Sequence, residues 1–476
     1  MKTTYQIQHT AKLLAKALCL QLALTTPISA FAQSSVLDTE FSSYLGSYAN
    51  CLSLYPDGKI VVTGRFSNGG NFIKRLLPNG TTDSFHHYYK SPAGELTSNA
   101  IQSDGKIIVG GFFTFYGDMD ANYLWGEHPY IARLNYNGEI DTTFSPLMLN
   151  APVRTLAIDA NQRILAGGDF TDNDGYNLNS IARFMPDGSL DPSFSIGTGF
   201  NAAVFKILVQ PDGKILVAGN FTEFNGVPAF RIARLNDDGS LDSGFGIGAG
   251  FDDIVLDLAV QPDGKIIAGG NFLACQGQEC TRLARLEANG NLDVTFSQNA
   301  SADSTVLAVA VTESGAIVVG GEFLNLNGVS RSRIGQLKPN GTLDTNFDPG
   351  VGCNKYVADI LIQPDKRILL TGFFTKYNNV VEIRICRLMG EDPLAISDIH
   401  DSQLWYSFIN DNGNLQLENL QAKSKIQLLN ISGVEILNTD EINGKARLAT
   451  SLIPKAVYIL KVYSESTVST KKVVVD

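Results

Sequence analysis

Two stretches of this sequence concentrate side chains able to bind or to react. The first holds Tyr116, Asp118, Asp120, Tyr123, Trp125, Glu127, His128 and Tyr130, and Trp125 is one of only two tryptophans in the chain. The second is His86-His87-Tyr88-Tyr89-Lys90. Aromatic rings with polar tips stack on sugar rings or grip peptides. Tyr116, Tyr123, Trp125, His128, His86, His87 and Tyr88 are therefore the candidate ligand-binding residues. Asp118, Asp120 and Glu127 open a second reading, an extracellular polysaccharide hydrolase or lyase. A third is that both stretches are decorated loops packing on each other in a structural spacer. Adjacent histidines point apart on a strand, and His86, His87 and His128 follow no ligand spacing of a known type, so neither a metal nor a cofactor is expected. No Gly-x-Ser-x-Gly with triad partners and no His-Glu-x-x-His occurs, and no catalytic residue is assigned.

Both stretches interrupt a repeat. Taking Gly264 of Pro262-Asp263-Gly264-Lys265-Ile266 as anchor, the equivalent positions are Gly58, Gly105, Gln162, Gly213, Gly264, Gly315 and Lys366, and the last four steps are 51 residues each. An Ile follows two residues after every anchor, a Gly six after and a Phe eight after. A period of this size signals a propeller or a solenoid. Each unit starts with alternation such as Val255-Leu256-Asp257-Leu258-Ala259-Val260, a strand of period two. Pro-Asp-Gly then makes a hairpin turn. The second strand carries Gly269-Gly270, and space is scarcest near a propeller axis, so this strand is expected on the inside. A third strand of the type Ile232-Ala233-Arg234-Leu235, a second turn and a short Leu241-Asp242-Ser243-Gly244-Phe245 strand complete the unit. The third-strand Arg and the Asp after the second turn read as a structural pair, Arg234 with Asp242 and Arg285 with Asp293.

Unit seven ends at Ile385-Cys386-Arg387-Leu388 without its Leu-Asp-x-x-Phe strand. That element stands at the other end, as Leu37-Asp38-Thr39-Glu40-Phe41. A closed ring needs such an orphan to complete its last blade and remove an open edge. The expected fold is all-β: a seven-bladed β-propeller, with an N-terminal strand completing the last blade, over 33–391. A linker at 392–397 and a small immunoglobulin-like β-sandwich at 398–476 follow. In a four-stranded meander the second loop and the crossover share one face, so the two unusual stretches belong on the same side.

The Pro-Asp-Gly-Lys-Ile, Gly-Gly-x-Phe, Ile-Ala-Arg-Leu and Leu-Asp-x-x-Phe elements resemble the bacterial delta-60 repeats, which implies β-propeller blades and no assigned reaction. The tail segments Ile426-Gln427-Leu428-Leu429-Asn430-Ile431-Ser432-Gly433 and Val457-Tyr458-Ile459-Leu460-Lys461-Val462, with the closing Lys471-Lys472-Val473-Val474-Val475, resemble the C-terminal sorting domain of the type IX secretion system. That resemblance implies a Bacteroidetes-like source, the type IX machinery as partner and passage across the outer membrane. Ala456 stands where a Gly commonly precedes the Tyr, and the usual Tyr-Pro-Asn-Pro opening is absent.

Residues 1–32 read as a signal peptide, with Lys2, Lys12 and Lys16 ahead of an apolar run and Ala30-Phe31-Ala32 before Gln33. That run, interrupted by Gln21, falls short of the roughly 20 apolar residues a membrane span needs, so no transmembrane segment is expected. The expected location is secreted or on the outer cell surface. Loss of the leader removes three lysines and no acid, taking the formal charge from −11 to −14. Such a surface repels phosphate backbones and excludes nucleic acid as a partner. A glycan, peptide or surface-protein ligand and a monomeric chain are expected. Five cysteines remain, and Cys275 and Cys280 either close a short disulfide loop or stand as separate thiols.

Overall fold

The computed structural model describes residues 35–65, 71–85, 94–113, 129–171 and 176–390, and in the tail 407–411, 414–430, 435–439, 442–449, 456–463 and 468–475. The first group forms seven three-stranded antiparallel sheets, one per repeat. A single bridging residue supplies the fourth strand of each blade, as in Leu235 with Leu241 and Leu286 with Leu292. In the last blade the bridge joins Leu388 to Leu37, and Asp38 N–H donates to Arg387 C=O at 2.8 Å. The innermost strand of blade one, Tyr48–Leu54, also packs on that of blade seven, Val357–Ile362. The ring is closed, and the amino-terminal segment is what closes it.

One expectation is corrected. The Gly-Gly strand is not on the inside; it is the middle strand of each sheet, as Ile266–Gly270 lies between Val255–Val260 and Leu283–Leu286. The first strands line the axis, each against its neighbours around the ring. The glycines answer two other demands for space. A Cβ on Gly270 would stand 2.2 Å from the Ile254 carbonyl oxygen, where the register slips between Val255 and Asp257 in a bulge. A Cβ on Gly269 would meet Val306 Cγ1 of the next blade at 2.5 Å.

Blades adhere through the apolar faces this stacking buries. Phe113, Phe170, Phe221, Phe272, Phe323 and Phe374, the repeat phenylalanines among the described residues, are fully buried. Below them a charged staple repeats. Arg234 Nε donates to Asp242 Oδ2 at 2.7 Å in its own blade, its Nη1 donates to Ala288 C=O of the next blade at 2.6 Å, and its guanidinium lies 4.6 Å from the Phe245 ring centre. Arg285 repeats this with Asp293 at 3.0 Å and Phe296 at 4.5 Å. In blade six Gln336 takes the Arg position and donates to Asp344 at 3.0 Å. In blades four to seven the second loop is a small hairpin with left-handed tips such as Asn225 (φ 53°) and Gly226 (φ 72°), the backbone that Asn-Gly tolerates.

The tail is a separate unit beginning at Pro393. Its long strand Asn414–Asn430 pairs along its first part with Ser407–Asp411 and Ile442–Ala449, and along its second with Glu435–Asn438 and Ala456–Tyr463. Two ladders thus share one strand, and the described residues do not define an immunoglobulin-like order. Among the described residues no helix is long and apolar enough to cross a membrane.

Candidate functional site

Because the first strand of each repeat lines the axis, its second residue decides what the ring presents there. The position before it is Ala49, Leu96 or, in the other five blades, Val, the position after it varies from Cys51 and Ser98 to Lys206 and Asp257, and the second position itself runs Asn50, Thr97, Arg154, Phe205, Leu256, Leu307 and Ala358. All seven are half-buried, and each follows a buried residue. Six of them, with Glu322 and Tyr356, line a cavity of about 460 Å³ at the end of the axis where the second loops and crossovers gather.

This mouth has two unlike arcs. Blades four to six supply Phe205, Leu256 and Leu307. From blades seven and two come Tyr356 and Thr97, and beside this lining stand Phe373, Tyr48, Asn50 and Glu95. Phe373 stacks between Tyr48 (4.7 Å, 15°) and Tyr356 (5.5 Å, 12°). Asn50 Nδ2 donates to Glu95 Oε1 at 2.6 Å, and Thr97 Oγ1 donates to Val153 C=O at 2.7 Å. Arg154 is held by both oxygens of Asp169, at 2.7 and 2.8 Å, with Phe112 and Phe205 rings 5.1 and 4.9 Å from its guanidinium. Burial, reinforced by the nearby Glu95 and Glu322 carboxylates, holds the Tyr356 hydroxyl above the usual tyrosine range.

Beneath the mouth a polar belt joins blade to blade. Ser98 Oγ accepts Leu156 N–H at 3.0 Å, Thr155 Oγ1 accepts Ile207 N–H at 3.2 Å, Asp257 Oδ2 accepts Val309 N–H at 2.8 Å and Asp359 Oδ2 accepts Leu52 N–H at 2.7 Å. Lys206 stands at the same register and reaches Asp257 Oδ1 at 2.7 Å. Burial opposes its charge, but Asp257 and Asp359 outweigh burial and keep it protonated. Burial also pushes Asp359 up to about 6, against the opposing pull of Lys206. The same burial pushes the Cys51 thiol up to about 12.

A second cavity of about 490 Å³ lies at the opposite end, under blades three and four. Its Arg163 is already committed to Asp159 at 2.5 Å and to Asp237. With its cation taken, this cavity offers less to a ligand than the axial mouth does.

The candidate ligand-binding residues Tyr116, Tyr123, Trp125, His128, His86, His87 and Tyr88 lie outside the described residues, as do Asp118, Asp120 and Glu127. Tyr130 is described: its N–H donates to Phe113 C=O at 2.8 Å and its ring packs on the core between blades two and three. Asn236 to Asp242 is a hairpin turn, with Gly239 N–H donating to Asn236 C=O at 3.0 Å. Cys275 and Cys280 are two buried free thiols. Cys275 pairs with Gln278 across its hairpin, and the Cys275 and Cys280 thiols lie within hydrogen-bond reach of each other. Among the described residues no three His, Cys, Asp or Glu side chains gather to hold a metal ion.

Matches to the DUF5122 β-propeller, a domain of unknown function, fall on residues 56–85, 102–144, 160–194, 210–245, 261–296, 313–347 and 363–390, one segment per blade. The chain belongs to the DUF5122 β-propeller family. Residues 409–476 match the secretion system C-terminal sorting domain, so this DUF5122 protein carries an export tail. No curated protein matches the sequence. Solved structures similar to it include PorZ, a surface component of the type IX secretion system of Porphyromonas gingivalis (9% identity, 92% of this chain and 60% of that one, TM-score 0.46). Others are a puromycin hydrolase (13% identity, 81% and 61%, TM-score 0.44) and a xylan β-1,4-xylosidase from Bacillus halodurans (11% identity, 92% and 91%, TM-score 0.22). The DUF5122 chain thus spans about 60% of the length of the PorZ chain.

Sequence reasoning missed the axial residues because it placed the wrong strand on the axis. The signal was available: the second and third positions of the first strand change chemistry from repeat to repeat while the first stays aliphatic.

Proposed function

We propose that this exported propeller is a binding module whose ligand, a glycan, peptide or surface protein, seats in the axial mouth. The observation that carries the reading is the ring of seven half-buried residues, which differ in chemistry while the buried aliphatic position before each of them repeats. A packing role would favour the same small set of side chains in every blade, as it does at the repeat Phe. An amphipathic cavity with a few fixed polar groups is the usual form of a small-ligand site. On this reading the signal peptide leads the chain to the periplasm, the tail engages the type IX machinery, and the propeller works as a monomer outside the cell.

The test is a glycan-array and peptide-array screen with the full mature chain, followed by Phe205→Ala, Arg154→Ala and Tyr356→Ala. Each substitution is expected to weaken the detected ligand at least tenfold without lowering the thermal midpoint by more than a few degrees. Unchanged binding in all three would remove the axial mouth from consideration. The hydrolase or lyase reading rests on Asp118, Asp120 and Glu127, and nothing among the described residues adds to it.

A further inference from the structure

We infer that the axial mouth takes a cationic group carried on an aliphatic stem, such as a lysine or arginine side chain of a peptide. The inference rests on the mouth being the ligand site and concerns only what enters it. Charge is the first argument. Among the described residues that line the cavity Arg154 is the one basic side chain, and Asp169 takes its guanidinium with both oxygens, while Arg384 is stacked on the Phe373 ring beside it. Glu95 and the exposed Glu322 enter no ion pair among the described residues. Deeper along the axis one ammonium, Lys206, faces two carboxylates, Asp257 and Asp359. With Arg384 counted, three basic groups (Arg154, Arg384, Lys206) face five carboxylates (Asp169, Glu95, Glu322, Asp257, Asp359) among the described residues, so a phosphate or uronate entering the mouth meets surplus negative charge, and a cation meets attraction strengthened by low-dielectric walls.

The aromatic wall supplies the second argument. The face-to-face stack of Tyr48, Phe373 and Tyr356 already accepts one guanidinium: Arg384 lies 4.2 Å from the Phe373 ring centre and 5.0 Å from that of Tyr48. Aromatic faces of this kind attract cations. The facing arc of Phe205, Leu256 and Leu307 provides the apolar surface along which the methylene stem of a lysine or arginine lies.

The experiment measures binding of a fluorescent lysine-containing tripeptide, its Nε-acetylated form and a neutral hexasaccharide to the full mature protein. The lysine peptide is expected to bind at least tenfold tighter than the acetylated one. Glu322→Gln and Glu95→Gln should each weaken it several-fold and leave the acetylated peptide unaffected, whereas Phe205→Ala should weaken both. Equal affinity for the two peptides overturns the cationic assignment. So does saccharide binding that Phe205→Ala abolishes and Glu322→Gln leaves intact, although the site itself then stands. Lysine-peptide binding indifferent to Phe205→Ala, Tyr356→Ala and Glu322→Gln alike would mean general attraction to an acidic surface, and the axial site would fall with the assignment.

Discussion

Arg387 Nε donates to Asp38 Oδ2 at 2.8 Å across 349 residues of sequence, both side chains are buried, and the Arg387 guanidinium lies 4.7 Å from the Phe41 ring centre. Five other blades make the same pair with an Asp eight residues along the chain. Only in the last blade does the staple also tie the two ends of the propeller. Removing one partner of a buried ion pair leaves an uncompensated charge, at a cost of roughly 3–5 kcal/mol. Asp38→Ala should therefore lower unfolding stability by about that amount in urea denaturation. Asp344→Ala, whose partner is the neutral Gln336, should cost only about 1 kcal/mol. Equal losses at the two sites would show that the charge of Arg387 is not what the ring closure depends on.

The staple carboxylates also set an acid limit. Burial raises Asp242, but Lys214 and Arg234 outweigh it and hold the carboxyl down at about 2. Asp83, Asp191 and Asp293 are lowered in the same direction, each against burial and with its arginine among the opposing causes. A folded-state value below the unfolded one contributes stability that is present above the unfolded value and lost as pH falls through the folded one. Stability should thus drop between about pH 4 and pH 2, and Asp242→Asn should flatten that part of the profile.

Asp359 acts with the opposite sign. Its carboxyl is pushed up to about 6, chiefly by burial, so the folded chain holds its proton longer than the unfolded chain does. The resulting destabilisation grows as pH rises from about 4 to 6 and is constant above. Asp359→Asn, whose amide oxygen can still accept Leu52 N–H, should gain stability relative to the parent at pH 7.5 and lose that advantage at pH 4. Parallel denaturation curves at the two values measure the difference directly.

Core and mouth phenylalanines should separate cleanly. Phe221 is fully buried and packs on the tilted Phe200 ring at 4.2 Å. Phe221→Ala should cost roughly 3–5 kcal/mol. Phe205, half-exposed in the mouth, should cost about 1 kcal/mol or less when truncated. Thermal unfolding of the two variants distinguishes a residue kept for packing from one kept for its exposed face.

How far the fold is legible in the chain follows from what kind of residue carries each feature. Ring closure could be read because Leu37-Asp38-x-x-Phe41 is a surplus strand and unit seven lacks one. The staple was visible because Arg and Asp recur at fixed spacing. The order of strands about the axis was not, because two glycines in a row announce close approach without naming the neighbour. Gly269 meets a side chain of the next blade and Gly270 a carbonyl of its own sheet, and neither meets the axis. The site went with that misplacement: Thr97, Arg154 and Phe205 look like ordinary alternation until their strand is known to line the channel.

The same two glycines give a last contrast. All seven repeats keep the Gly270 position, and a Cβ at Gly64, Gly111, Gly168, Gly219, Gly270, Gly321 or Gly372 would stand between 1.9 and 2.3 Å from a backbone carbonyl oxygen. No rotamer change relieves a clash with backbone. Gly270→Ala should therefore open the bulge at Val255 and cost about 3 kcal/mol or more. Gly269 is different, because blade four has Ala218 at the same register and blades one and seven have Thr63 and Thr371. The Val306 side chain of the next blade can yield to one methyl, and Gly269→Ala should cost only about 1 kcal/mol. Amide exchange at Val255 and Asp257 should speed up in Gly270→Ala alone; comparable losses in both variants would place the constraint in the packing between blades instead of in the bulge.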